Sequence, residues 1–388
     1  MARQDFNANG IVYTVSPEPA LAPGLRTWAV LEARLLDEIT GVAPEGQVSV
    51  STLFSGISPR VAPGGMVGFA GIPVRAFPEL MNTGYVVPVN IDAAGYIPIE
   101  RNVNVAQNAA FPASFAPTDM GTLQLHRTPT IIAGRVVLNT GIALQPIAGA
   151  TVTLKGLWRT PPPANLVVPA DAPDLISLVP DLYYDRVSAG SQLQGLNFLG
   201  VPGPDKLLQK DSPAAQSQLF LSDRLNIAVG DVLAIDTGDA ARTEYVAIQA
   251  IAGASTADQP ATITLVSPLR IVHRQGAVVH KVQFQNVGAV TPLKQDAATG
   301  DFCLFVNGVA NLASAPLLSV QGGANPVEYH AVSYFEATSD ARGFFRWPPI
   351  SRVAQCEMLV HDGVHADLDV DYQPDYENEE SHIDFVYQ

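Results

Sequence analysis

Cysteine is nearly absent from the 388 residues, which hold only Cys303 and Cys356. Two thiols cannot build a disulfide framework, and no CxxC or Cys/His spacing suggests zinc, so both read as buried thiols and no metal site is expected. Cations are also scarce: 22 Lys and Arg against 37 Asp and Glu leave a formal charge of −15. They stand singly, as at Arg224, Arg242, Arg270 and Arg274, with no basic run and no aromatic interleaving. A nucleic acid or anionic lipid would be repelled, and neither is expected as a partner. Long apolar runs are missing as well. Residues 302–327 carry no charge, but their Asn, Gln, Ser, Gly and Pro would be poorly compensated in lipid, so no membrane insertion is expected. The N-terminus shows no basic segment leading into an apolar stretch, which predicts a protein without a secretion signal, assembled in the cytosol. GxxxxGK(S/T), GxGxxG, HExxH and GxSxG do not occur, which argues against an enzyme and names no catalytic residue or cofactor.

What is present is 47% apolar residues together with 31 Gly and 31 Pro, a composition of short strands and tight turns. The expected fold class is all-β and multidomain. Residues 1–127 read as an N-terminal β-domain. "VLEARLLD" and "GQVSVSTLF" alternate as strands around the turn "EITGVAPEG", and "GYVVPVNID" and "GYIPIER" continue the pattern. Residues 107–119 read as an irregular linker.

"TIIAGRVVLNTGIALQPIAGATVTLKG", residues 130–156, reads as the opening hairpin of a small β-sandwich, yet the Pro-rich "LWRTPPPANLVVPADAPD" that follows is no third strand. The missing strands lie far downstream, in "EATSDARGFFRWPPISRVAQCEMLVHDG", "HADLDVDYQPDY" and "SHIDFVYQ". Gly134, Val136, Pro146, Gly149, Ala150, Val152 and Leu154, with Thr338, Asp340, Gly343, Phe345 and Pro349, follow a pattern that resembles the carboxypeptidase regulatory-like fold. That resemblance implies a transthyretin-like β-sandwich made of 128–156 plus 330–388, with Val136, Val152, Phe345 and Phe385 in one core. It is silent about activity, because such domains serve as spacers or display modules.

Residues 157–329 are then an insertion. "SQLFLSDRLNIAVGDVLAIDTGDAARTEYVAIQAIAG" through "ATITLVSPLRIVHRQGAVVHKVQF" alternates cleanly and predicts five or six short strands, a small barrel or sandwich. Its "VGDVLAID…EYVAI…ITLVSPL" layout resembles modules of phage tails and phage-derived injection particles.

Among polar features, residues 361–388 hold nine Asp or Glu and no Lys or Arg. Asp367, Asp369 and Asp371 alternate with Leu368, Val370 and Tyr372, so three carboxylates share one strand face. They suit a basic partner or calcium, although a flat strand lacks the turns that wrap an ion, and a solvated outer face is the plainer reading. His361 and His365, and His273 and His280, read as surface or structural histidines, and Phe344, Phe345 and Trp347 as core aromatics before a Pro pair. Tyr183 and Tyr184, on a loop at the start of the insertion, are candidate exposed partner contacts. The sequence therefore predicts an oligomeric structural or adaptor subunit of a phage-tail-like injection particle, contacting other subunits. The alternative is a carbohydrate-binding or hydrolytic β-protein with its site between the inserted module and the host sandwich.

Overall fold

The computed structural model describes residues 4–8, 11–15, 28–44, 46–53, 57–71, 84–106, 116–159, 174–183, 187–200, 202–239, 242–253 and 256–388. Nearly every element among them is a β-strand, in several sheets. The Pro-rich loop 161–173 and Tyr184 lie outside the described residues.

The first unit is organised by the apolar strand Trp28–Asp37, in which Val30, Leu31, Ala33 and Leu35 are buried. This strand is central to a four-stranded sheet, pairing with Met66–Gly71 on one side and, in parallel, with Thr118–Leu125 on the other. A three-stranded sheet of Val48–Thr52, Tyr85–Ala93 and Ile99–Val105 packs against it through Val50, Val87, Val89 and Ile91.

Thr130–Asn139 and Thr151–Trp158 do not form the expected hairpin. Thr130–Asn139 pairs with the short strand Leu144–Pro146, with Phe344–Ile350, and in parallel with Glu380–Tyr387. The chain then crosses to a second sheet, ordered Glu336–Thr338, Thr151–Trp158, Gln355–His361, Leu368–Tyr372. The physical reason is the turn: Gly149, with φ +78°, redirects the chain after Pro146, and Ala150, Val152 and Leu154 must face Ile132 and Val136 across the core. Val136, Val152, Phe345 and Phe385 lie in that one core, with Trp347 donating its indole N–H to the Val152 carbonyl at 3.0 Å. Cys356 and Cys303 are buried there too, and burial pushes both thiols up to about 12, leaving them protonated and inert.

The boundaries of the insertion differ from the sequence reading in two respects. Thr151–Trp158 stays in the sandwich through Trp158, and Glu328–Tyr334 belongs to the insertion, where it pairs with Leu317–Gln321 and Leu175–Val179. The chain re-enters the sandwich at Phe335. The insertion also reaches into its host: Leu175, Cys303 and Phe305 complete the sandwich core, and the Arg159 guanidinium lies 3.9 Å above the Phe305 ring.

Within the insertion, Glu244–Gly253, Val232–Ile235, Val278–Pro292, Gln192–Gly200, Leu317–Gln321 and Glu328–Tyr334 pair in that order. The last returns to the first at Tyr245 and Tyr329, so the six strands close a barrel around Leu196, Val232, Ala234, Val282 and Leu317. Gln218–Leu221 and Ala261–Leu265 extend one flank over a separate apolar layer that includes Leu233, Ile235 and Val246.

Candidate functional site

The register of the second sandwich sheet assigns each residue to one of its two faces, because directly paired residues point the same way. Val152, Val360 and Leu368 form one inward row, and Leu154, Met358 and Val370 another. The rows between them point outward. One joins Glu336, Thr153, Leu359 and Asp369; the next places Glu357 opposite Asp371; the third joins Thr338, Thr151 and His361, with Asp367 following at the strand entry. The structure thus gathers Asp367, Asp369 and Asp371 on one face and adds Glu336 and Glu357 to them.

Two basic groups are interleaved. The Lys155 ammonium, at the bulge in Thr151–Trp158, donates to Asp369 at 2.8 Å and lies 3.1 Å from Glu357. Hydrogen bonds to Asp369 and Glu357 hold its pKa above the usual lysine value. His361 Nδ1 meets Asp367 at 2.7 Å, and that hydrogen bond raises the imidazole pKa. Next to the face, the loop residue Asp362 accepts bonds from Val364 N, His365 N and His365 Nδ1. Burial opposes its charge, but those three bonds outweigh it and draw the carboxyl down to about 2. The result is a rigid, predominantly anionic face: Asp367, Asp369, Asp371 and Glu336 are exposed, Glu357 is buried beneath Lys155, and the sheet's other side is locked into the core. Glu336, Glu357 and Lys155 carry no period-2 signal linking them to the aspartates; only strand pairing brings them together.

Tyr183 is placed differently from the sequence reading: it is turned inward. Its phenol donates to the buried Glu244, its backbone N–H donates to Glu328 Oε2 at 2.9 Å, and burial, followed by the charge of Glu244, raises its pKa. Glu244 and Glu328 each precede one of the two tyrosines that close the barrel, so Tyr183 is the clasp across the seam. Glu244 also accepts Arg270 N, Ile271 N and His273 Nε2 at 2.8, 3.2 and 3.0 Å. His273 is fully buried between Glu244 and Asp236, while His280, nearer the surface, pairs with Asp205. Glu244 and His273 are fully buried and bonded to one another, Asp236 is 23% exposed, and the buried Glu328 Oε1 has no hydrogen-bond partner among the described residues. Among the described residues no group of three or more His, Cys, Asp or Glu is placed to hold a metal ion.

No family model matches the chain, and no curated protein matches it. Two solved structures of the major pilin subunit of Bacillus cereus, one of them a point variant, align over 93% of this chain and 99% of theirs. Identities are 8% and 10% and TM-scores 0.21 and 0.20, values at which the alignment establishes neither a shared fold nor a shared role.

Proposed function

We propose that the chain is a structural or adaptor subunit of a phage-tail-like injection particle, working through protein contacts and not through turnover. The observation that carries this reading is the acidic sheet face: Asp369, Asp371 and Glu336 are held in fixed register by strands whose opposite side fills a core, with Asp367 at the strand entry beside them. Fixed charge of one sign steers and orients a basic partner surface, and does so without ordering flexible side-chain supports. The sandwich that bears the face is assembled from the two segments that flank the insertion, and a barrel module nested in such a sandwich suits a multi-contact particle protein. The competing enzymatic reading places a site between insertion and host. That joint is filled instead by Leu175, Cys303 and Phe305 and spanned by the Arg352–Asp301 ion pair at 2.7 Å.

The test replaces Asp367, Asp369 and Asp371 together by Lys. Exposed charges add little to folding, typically about 0–1 kcal/mol per pair, so the variant should retain the parent melting profile. Its incorporation into assembled particles should fall, and incorporation of the parent should decline with added salt while the variant shows no such dependence. Normal incorporation of the triple variant at low ionic strength would reduce the face to a solvated surface.

A further inference from the structure

Between the first unit and the sandwich lies a half-open cleft of about 290 Å³, near the lower end of the range typical of small-ligand sites, about 300–1,000 Å³. One wall carries Val42, Ala43 and Ala94; the other is Tyr376, with Glu377 at the exposed rim. Arg127, in the segment that joins the two units, reaches into it.

The arginine is fixed from behind. Its Nε donates to Asp37 Oδ2 at 2.7 Å, and its guanidinium carbon sits 5.4 Å from the centre of the Tyr376 ring. Asp37 is itself saturated: Oδ1 accepts Ile39 N and Thr40 N, each at 2.8 Å, and Oδ2 also accepts the Tyr96 hydroxyl at 2.6 Å. Arg127 therefore cannot rotate toward a second protein acceptor without giving up a buried one. Its two terminal Nη groups have no protein partner among the described residues, and the side chain is 28% exposed at the cleft. A guanidinium held through Nε and a ring face presents its remaining edge as a planar two-donor fork, the geometry that matches the two oxygens of a carboxylate.

We propose that this cleft binds a peptide carboxylate, with both oxygens on the Nη groups of Arg127 and the adjoining backbone against Tyr376, Ala43 and Ala94. A single negative charge fits better than a phosphate, because Glu377 stands at the rim and the chain as a whole is strongly acidic. The carboxylate is either a chain terminus or a Glu or Asp side chain of a partner segment. The site is independent of the acidic sheet face and stands or falls without it.

Methyl NMR on the full chain, labelled at Ala and Val, reads the cleft directly through Val42, Ala43 and Ala94. The probes are N-acetyl-Gly-Gly with a free terminus, N-acetyl-glutamate α-amide with only its side-chain carboxylate, neutral N-acetyl-Gly-Gly-amide, and inorganic phosphate. Saturable shifts are expected from one or both carboxylate probes in the millimolar range, about 1–10 mM, with none from the neutral amide. Which carboxylate probe responds identifies the source. Arg127→Lys keeps the charge but loses the fork and should weaken binding by about fivefold or more. Glu377→Gln should tighten it. Equal shifts from acid and amide, stronger binding of phosphate than of either carboxylate, no response up to about 20 mM, or unchanged affinity in a folded Arg127→Lys variant would each overturn the proposal.

Discussion

An ideal Cβ on Gly134 would sit 1.6 Å from the carbonyl oxygen of Ile383, the residue that faces it in the parallel pairing of Thr130–Asn139 with Glu380–Tyr387. The obstacle is backbone and cannot swing aside, so Gly134→Ala must push the C-terminal strand away from the centre of the sandwich. The expected loss is about 3 kcal/mol or more, read from chemical denaturation, and a near-neutral result would mean the two strands lie farther apart in solution. Ionisable residues set a second expectation. Burial works against a charged His273, but its bonds to Glu244 and Asp236 prevail and raise its pKa above 6.5; His126, bonded to Glu38, and His361 move the same way. A raised folded pKa contributes stability that is complete below the unfolded value and is lost as pH climbs through the folded one. Asp37, Asp223 and Asp384 are lowered against the opposing effect of burial, so their contribution is present above 3.8 and lost as pH falls. The melting temperature should peak between about pH 4 and pH 6.5 and decline on the alkaline side, and His273→Gln should flatten that decline. An unchanged alkaline slope in the variant would assign the loss to other groups.

At the scale of elements, alternation made most strands legible in the sequence, and it did so for a physical reason: Leu368, Val370 and Tyr372, or Ile383, Phe385 and Tyr387, have to reach one core while their neighbours stay wet. What alternation cannot carry is the identity of the partner strand. Thr130–Asn139 and Thr151–Trp158 look like a hairpin because each has period 2, and only the pairing shows that they lie in opposite sheets. Glu328–Tyr334 has the same period as the sandwich strands after it, which is why its place in the barrel was invisible. The inward placement of Tyr183 is hidden from the sequence for a related reason: its partners Glu244 and Glu328 are 61 and 145 residues away. The contacts between insertion and host decide what excision of the insertion should do. Joining residue 158 to 335 by a short linker removes Leu175, Cys303 and Phe305 from the sandwich core. Cutting a large buried side chain to Ala typically costs about 2–5 kcal/mol, against a total domain stability of about 5–15 kcal/mol. The excised sandwich should bind ANS and melt without cooperativity. A sharp two-state melt would show those three residues to be dispensable.

Over the whole molecule, Arg352 is where the three parts of the chain meet. Its Nε lies 3.1 Å from Glu38 of the first unit, its Nη1 2.7 Å from Asp301 of the insertion, and its own backbone belongs to the sandwich. Glu38 is held further by His126 Nδ1 at 2.6 Å, just before the chain enters the sandwich. Arg352 adopts φ +61°, a left-handed conformation disfavoured for a residue with a long side chain, so the surrounding contacts impose it. Replacement by Ala would mix the loss of charge with a change in backbone preference. Asn tolerates this region, which makes Arg352→Asn the cleaner variant. It leaves two largely buried carboxylates, Glu38 and Asp301, without their shared cation, at a cost of about 2–4 kcal/mol, below that of a fully buried pair because the guanidinium is 22% exposed. Because that cation is common to all three parts, its loss should appear as separation and not merely as weakening. Calorimetry of the parent should show coupled unfolding of the first unit, the sandwich and the insertion, while Arg352→Asn should split the endotherm and release the first unit at lower temperature. If the variant instead melts in one transition shifted uniformly downward, the coupling runs through the apolar contacts of Leu175, Cys303 and Phe305, and the ion pairs only orient the parts that those contacts hold.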